Sequence, residues 1–143
     1  MLEVTPEVLK QIHAHGEIAY PEEGAGFLLG TVDGEQRQVT AILGLSNARE
    51  DAARHNRYLI TPHDYLRGEQ EAERLELDML GVFHSHPDHP SQPSEFDRQW
   101  AMPWFSYVIT SVQAGHAAES RSWRLAEDRS QFVEEKIEIT ERS

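Results

Sequence analysis

The stretch that decides how this chain reads is Met79-Leu80-Gly81-Val82-Phe83-His84-Ser85-His86-Pro87, continuing through a proline-rich loop to Pro93-Ser94-Glu95-Phe96-Asp97. Met79–Phe83 is an apolar run of strand length that leads straight into His84. Side chains two apart on a strand share a face, so His84 and His86 should project together from its C-terminal end. Pro87 stops the strand there and keeps both rings near an opening. Pro87, Pro90 and Pro93 predict a loop, and Ser94 opens a short helix to about Met102 with Asp97 on its first turn. That loop is long enough to fold back and bring Asp97 over the imidazoles.

Two neutral imidazoles and one carboxylate form an N/O donor set suited to Zn²⁺. Three protein ligands leave the fourth tetrahedral position open, as in a catalytic rather than a structural site. A hydrolase built this way still needs a base to carry a proton to the leaving amine. Glu23 is the candidate: it stands in Glu23-Gly24-Ala25-Gly26, where small residues let another backbone come close. Ser94 is placed to donate a hydrogen bond to a developing oxyanion. Taken alone, Ser94-x-x-Asp97 is a helix-capping pattern and Glu22-Glu23 a solvated pair. His-x-His also occurs by chance, so the combination carries the reading. His89 lies in the proline-rich loop and reads as a rim residue, because three ligands already suffice.

Outward from this stretch, Thr5-Pro6-Glu7 predicts a helix start, with Val8, Leu9 and Ile12 at helical spacing and the pattern fading before Pro21. Gly26–Gly30 reads as a buried strand, Asp33-Gly34 as a hairpin turn and Gln38–Leu45 as the returning strand. Ser46–Asn56 reads as a surface loop and Arg57–Ile60 as a strand. Thr61-Pro62 opens a helix to about Leu77. Ser106–Val112, Ser122–Leu125 and Phe132–Ile139 read as later strands. Trp100, Trp104 and Trp123 read as core residues, while His13, His15, His55, His63 and His116 show no partner spacing. Early alternation of strands and helices followed by strands predicts an α+β single domain, a mixed sheet flanked by helices in three layers.

Composition narrows the function. The chain has 143 residues and no cysteine, which excludes disulfides, thiolate nucleophiles and Cys-type zinc sites. Its formal net charge is −12, from 13 basic and 25 acidic residues, and such a field repels a phosphate backbone, so nucleic acid is not expected as a partner. No apolar run reaches the roughly 20 residues that span a bilayer, and no secretory signal opens the chain. The expectation is therefore a cytoplasmic protein without membrane contact, monomer or homodimer.

Glu23, His84-x-His86-Pro87 and Ser94-x-x-Asp97 together resemble the signature of the JAMM (MPN+) zinc metallopeptidases. The segments YPEEGAGFLLG, NRYLITPHDY, GVFHSHPDHPSQPSEFD, SYVITSV and SWRL extend the likeness to the compact prokaryotic branch over nearly the whole chain. Ala25 stands where many members have Cys, outside the metal set. The resemblance implies one JAMM domain over 1–143 with a cytidine-deaminase-like fold and a curved mixed sheet between helices. It also implies one Zn²⁺ held by His84, His86 and Asp97, with Glu23 as general base and Ser94 as oxyanion donor. No insertion for holding a second ubiquitin is evident. The chain is therefore similar to peptidases that cleave after Gly-Gly at the C-terminus of ubiquitin-like (β-grasp) sulfur-carrier proteins. A lysine isopeptidase and a non-catalytic scaffold of the same fold are the alternatives.

Overall fold

Thr5 opens the first helix: its side chain accepts a hydrogen bond from Val8 N at 3.2 Å, and Pro6 fills the first turn, where a missing N–H costs nothing. Helix α1 (Pro6–Ala19) buries Val8, Ile12 and Gly16 along one stripe. Helix α2 (Pro62–Leu75) starts with a full capping box between Thr61 and Asp64 and ends where Glu76 turns left-handed at φ 58°. Helix α3 (Glu95–Trp100) is a six-residue element that stops short of the expected Met102. The computed structural model describes residues 1–45 and 60–140, and not the Trp100 side chain. The strand expected over Arg57–Ile60, apart from Ile60, and the loop expected over Ser46–Asn56 lie outside the described residues.

Among the described residues eight strands complete the domain: β1 (Leu2–Val4), β2 (Ala25–Asp33), β3 (Gln36–Leu45), β4 (Asp78–Pro87), β5 (Ser106–Gln113), β6 (His116–Leu125), β7 (Phe132–Glu135) and β8 (Ile137–Ile139). They form one mixed sheet in the order β7-β6-β5-β4-β2-β3-β1-β8. At its centre β4 pairs antiparallel with β2 and parallel with β5. One face packs Leu28, Leu80, Phe83 and Val108 against Val8 and Ile12 of α1. The other packs Phe27, Leu29, Val82 and Tyr107 with Ala72 of α2. This is the layered α+β domain that the alternation of elements predicts.

The sheet is curved. Strands β7 and β8 hold opposite ends of the order, yet Lys136 alone separates them in sequence, so the two edges must approach one another there. Leu2 N donates to Lys136 O at 2.9 Å across this seam. Beside it the buried Glu135 carboxylate accepts from the hydroxyls of Ser106 and Ser122, at 2.8 and 3.0 Å. Arg37, also buried, donates to Ser106 Oγ and to Leu80 O. Glu135 and Arg37, both buried at the seam, thus find partners, as burial requires.

Three expectations need correction, and β1 is an element that none of them anticipates. Phe132–Ile139 is two strands that pair with opposite edges of the sheet, not one. Strand β6 begins at His116, well before Ser122, because Ala114 and Gly115 both take positive φ (50° and 87°) and close a tight hairpin onto β5. Strand β1 has three residues, too few to show a period. Trp104 is 49% exposed rather than core, and the Arg37 guanidinium lies 4.2 Å over its ring, a cation–π contact.

Strand β4 reaches its place beside β5 only because Gly81 has no side chain. A Cβ there would sit 1.9 Å from Ser106 O, a backbone atom that cannot give way. Gly81→Ala is expected to lower the unfolding free energy by more than about 2 kcal/mol in a urea titration. Gly34→Ala, at φ 64° with open space around it, should cost only about 1 kcal/mol.

Candidate active site

Alternation along β4 sends Val82, His84 and His86 to the α2 side of the sheet and Phe83 and Ser85 toward α1. The two imidazole centroids lie 5.0 Å apart, and both rings are buried. Strand β2 runs antiparallel alongside, with Ala25 opposite His84, so the residues preceding it lie along His84 and His86. Ser85 fixes that alignment twice over. Its N–H donates to Gly24 O at 3.0 Å, and its hydroxyl accepts from Gly24 N at 2.8 Å. From below, His15 of α1 props the same backbone: a Cβ on Gly24 would come within 2.8 Å of its ring. Glu23 is thereby held, buried, beside the imidazoles.

Asp97 arrives from the other side on α3. Asp97 N donates to Ser94 Oγ at 3.1 Å, and Ser94 N donates to Asp97 Oδ2 at 2.8 Å, the capping box that the Ser-x-x-Asp spacing anticipates. The same carboxylate faces both rings, with Oδ1 3.7 Å from His84 Nε2 and Oδ2 3.3 Å from His86 Nε2. Glu23 Oε1 approaches the opposite nitrogen of His84, Nδ1, at 3.8 Å. Donor atoms of Glu23, His84 and His86 also fall within 4.8 Å of one another. All five residues singled out in the sequence thus come together, with two carboxylates near the two imidazoles.

The proton inventory follows from the contacts. His86 Nδ1 lies 2.8 Å from Pro90 O; a carbonyl only accepts, so Nδ1 carries a proton and Nε2 is the nitrogen that faces Asp97. The Pro90 carbonyl is steadied through the next residue: Ser91 Oγ donates to Glu119 at 2.6 Å, and the Trp123 indole donates to Ser91 O at 3.0 Å. Burial pushes the His84 pKa down to about 4, against the pull of Asp97, so at neutral pH the ring is an uncharged donor. Burial alone would raise Asp97, but both imidazoles and the Ser94 amide outweigh it and bring the carboxyl to about 2. His86 is lowered by burial but raised more strongly by Asp97, Pro90 O and Glu23, and ends above its ordinary value.

These residues fit a borderline divalent cation. Ligand atoms about 2.0–2.1 Å from a tetrahedral Zn²⁺ lie about 3.4 Å from each other. The separations of 3.3 and 3.7 Å between Asp97 and the imidazoles match that spacing and exceed an ordinary charged hydrogen bond. An open cleft of ≈ 350 Å³ reaches the cluster, lined by Glu23, His86, His89, Gln92, Pro93 and Ser94. His89 is exposed on this rim, as expected. His63 and His116 are exposed, His13 bonds Ser120, and His55 lies outside the described residues. Ser85, His15, Ser91 and Trp123 support the site without being among the residues that the sequence pattern singles out. A hydroxyl residue between two same-face histidines was the available sign for Ser85, because alternation must turn it toward the backbone behind. The others act across long sequence gaps and left no local pattern.

A family model described as prokaryotic homologs of the JAB domain matches residues 5–126. Among curated proteins, a Thermus thermophilus protein named "Probable TtuB-protein conjugate cleaving protease" is 29% identical over 117 residues, covering 80% of this chain and 74% of its own. A solved Salinibacter ruber protein is 45% identical with a TM-score of 0.77, covering 96% of this chain and 91% of its own. A Desulfitobacterium hafniense protein has a TM-score of 0.87 at 29% identity, covering 99% and 94%. A JAB1/MPN domain protein from Archaeoglobus fulgidus, 16% identical with a TM-score of 0.61 over 98% of this chain and 97% of its own, shares the fold.

Two outcomes are expected. In metal-free protein the unfolded state takes up a proton on His84 below pH 6.5 that the folded state refuses until about 4. Stability should therefore fall as pH drops across that window, and His84→Gln should flatten the fall in urea titrations run from pH 7.5 to 4. Ser85→Ala strands the Gly24 amide and should cost about 1–3 kcal/mol in the same measurement at pH 7.5.

Proposed function

We infer that this chain, which belongs to the family of prokaryotic homologs of the JAB domain, is a zinc-dependent peptidase, with the whole of 1–143 serving as the metallopeptidase domain. The observation that carries the reading is the single buried cluster of Glu23, His84, His86 and Asp97 beside an open cleft. We assign His84, His86 and Asp97 as the ligands of one Zn²⁺. Asp97 presents an oxygen to the Nε2 of each ring, whereas Glu23 meets the far nitrogen of His84 and lines the cleft where a substrate would lie. When bound, the metal acts as a Lewis acid toward a carbonyl oxygen and acidifies a water to a pKa of about 7.

Glu23 is the general base in this reading. Its carboxylate accepts the proton of the attacking water and hands it to the amide nitrogen as the C–N bond breaks. Burial beside His84 and anchorage of the neighbouring Gly24 by Ser85 hold it in one position. Ser94 Oγ accepts from Asp97 N and so keeps its own O–H available for the oxyanion of the scissile carbonyl. Pro90 O holds the His86 ring in the tautomer that leaves Nε2 available.

The substrate class we propose is a ubiquitin-like β-grasp sulfur-carrier protein with a C-terminal extension after Gly-Gly. The cleft beside Glu23 and Ser94 is lined by Pro87, Pro90 and Pro93, and residues without side chains would lie most easily against such a rigid wall. A second reading has a specific support: the Thermus relative is named for cleaving protein conjugates, which favours an isopeptide junction. Both readings use the same residues and differ in the leaving amine.

Purified protein is expected to bind about one Zn²⁺ per chain, measured by competition with a chromogenic chelator and by elemental analysis. Mass spectrometry should detect trimming of extended carriers after Gly-Gly. Glu23→Gln should keep the metal and lose roughly 10²–10⁴-fold in rate, while Asp97→Ala and His84→Ala should lose the metal. Loss of the metal in Glu23→Gln with retention in Asp97→Asn would exchange the two carboxylates' roles. Cleavage of lysine-linked conjugates with tailed carriers untouched would select the second reading.

A further inference from the structure

We propose that Arg129, in the turn between β6 and β7, is a positioning residue that locks α3 and thereby fixes Asp97 for the metal; the inference rests on Asp97 being a ligand. Helix α3 has six residues, well below the roughly 12 at which a helix begins to hold itself together in water. Its N-terminal capping box is closed by Asp97 itself, whose Oδ2 accepts from the N–H of the cap residue Ser94. Any rotation or fraying of α3 therefore moves the carboxylate that faces both imidazoles.

At the other end, the last carbonyls of a helix lack intrahelical donors. One guanidinium supplies them here. Arg129 Nη1 donates to Ala101 O at 2.7 Å, and Nη2 donates to Arg98 O and Gln99 O, both at 3.1 Å. Arg98 returns the contact by donating through Nη1 to Arg129 O at 2.7 Å. Helix and turn thus clasp each other in both directions. Arg129 holds φ 64°, in the left-handed region that a non-glycine residue ordinarily avoids. The planar fork of arginine reaches three acceptors at once, which a lysine ammonium on a flexible stem does not reproduce. Tyr107 Oη accepts from Met102 N at 2.6 Å, a second anchor that keeps the segment docked when the guanidinium is removed. Arg129 also lies beyond residue 126, where the match to the family ends, so the clasp comes from the part of the chain outside that match.

The test separates the guanidinium from the backbone conformation it occupies. Arg129→Gly relieves the positive φ and deletes the donors; Arg129→Lys keeps the charge without the fork. Hydrogen exchange of the 94–102 amides in metal-free protein should quicken in both variants while β2, β4 and β5 stay protected. Zn²⁺ affinity, read by chelator competition, should fall about tenfold or more in Arg129→Gly, the loss typical of groups that orient a ligand. Arg74→Ala, which removes an exposed ion pair with Glu71 on α2, should leave both readings as in the wild type. Unchanged exchange over 94–102, or an Arg129→Gly affinity within twofold of wild type, overturns the inference alone. If the wild type takes up no Zn²⁺, the assignment of Asp97 fails first and the inference goes with it.

Discussion

Everything at the candidate site depends on the register between β2 and β4. A strand that slips by one residue turns every side chain to the opposite face, which would send Glu23 toward α1 and away from the imidazoles. Paired strands are ordinarily kept in step by their apolar faces. Here Phe27, Leu28 and Leu29 serve that purpose farther along β2, but at the end that matters the apolar residues give way to Gly24 and Glu23. Ser85 takes over: main chain and side chain together grip Gly24, so the residue between the two histidines sets the carboxylate across from them. A spacing that looks like a metal motif is equally a device for strand alignment.

Much of this was legible in the sequence, and the reasons are local. Met79–Phe83 followed by His-x-His-Pro needs only strand alternation and a proline to define two rings on one face, and Ser94-x-x-Asp97 needs only the rules for starting a helix. Glu23 was legible through its small neighbours and the family pattern. What escaped has a common cause. The hairpin from β5 into β6 turns on Ala114-Gly115, a weak signal, and β6 is polar enough to hide its length. The division of Phe132–Ile139 at Lys136 is a property of sheet curvature, which no linear window contains. Trp104 stands outside the core with the Arg37 guanidinium over its face, a pairing across a long sequence gap.

The electrostatics of the cluster suit a metal at neutral pH better than they suit the empty protein. His84 is kept neutral by burial, so no proton has to leave it before it can coordinate. Asp97 is already ionised over the whole physiological range. His86 alone holds its proton more tightly than usual, through the contact with Asp97. Cation and proton compete most directly at that ring, whose Nε2 faces Asp97.

The curl of the sheet has a colloidal consequence. Open sheets end in rows of unpaired N–H and C=O groups, which invite a neighbouring molecule to add a strand. Among the described strands, the two that end this sheet are four and three residues long. They converge on the same lysine, so a visiting chain that paired with either of them would gain only a few ladder bonds before running into a charged corner. A surface carrying twelve excess negative charges adds mutual repulsion at longer range.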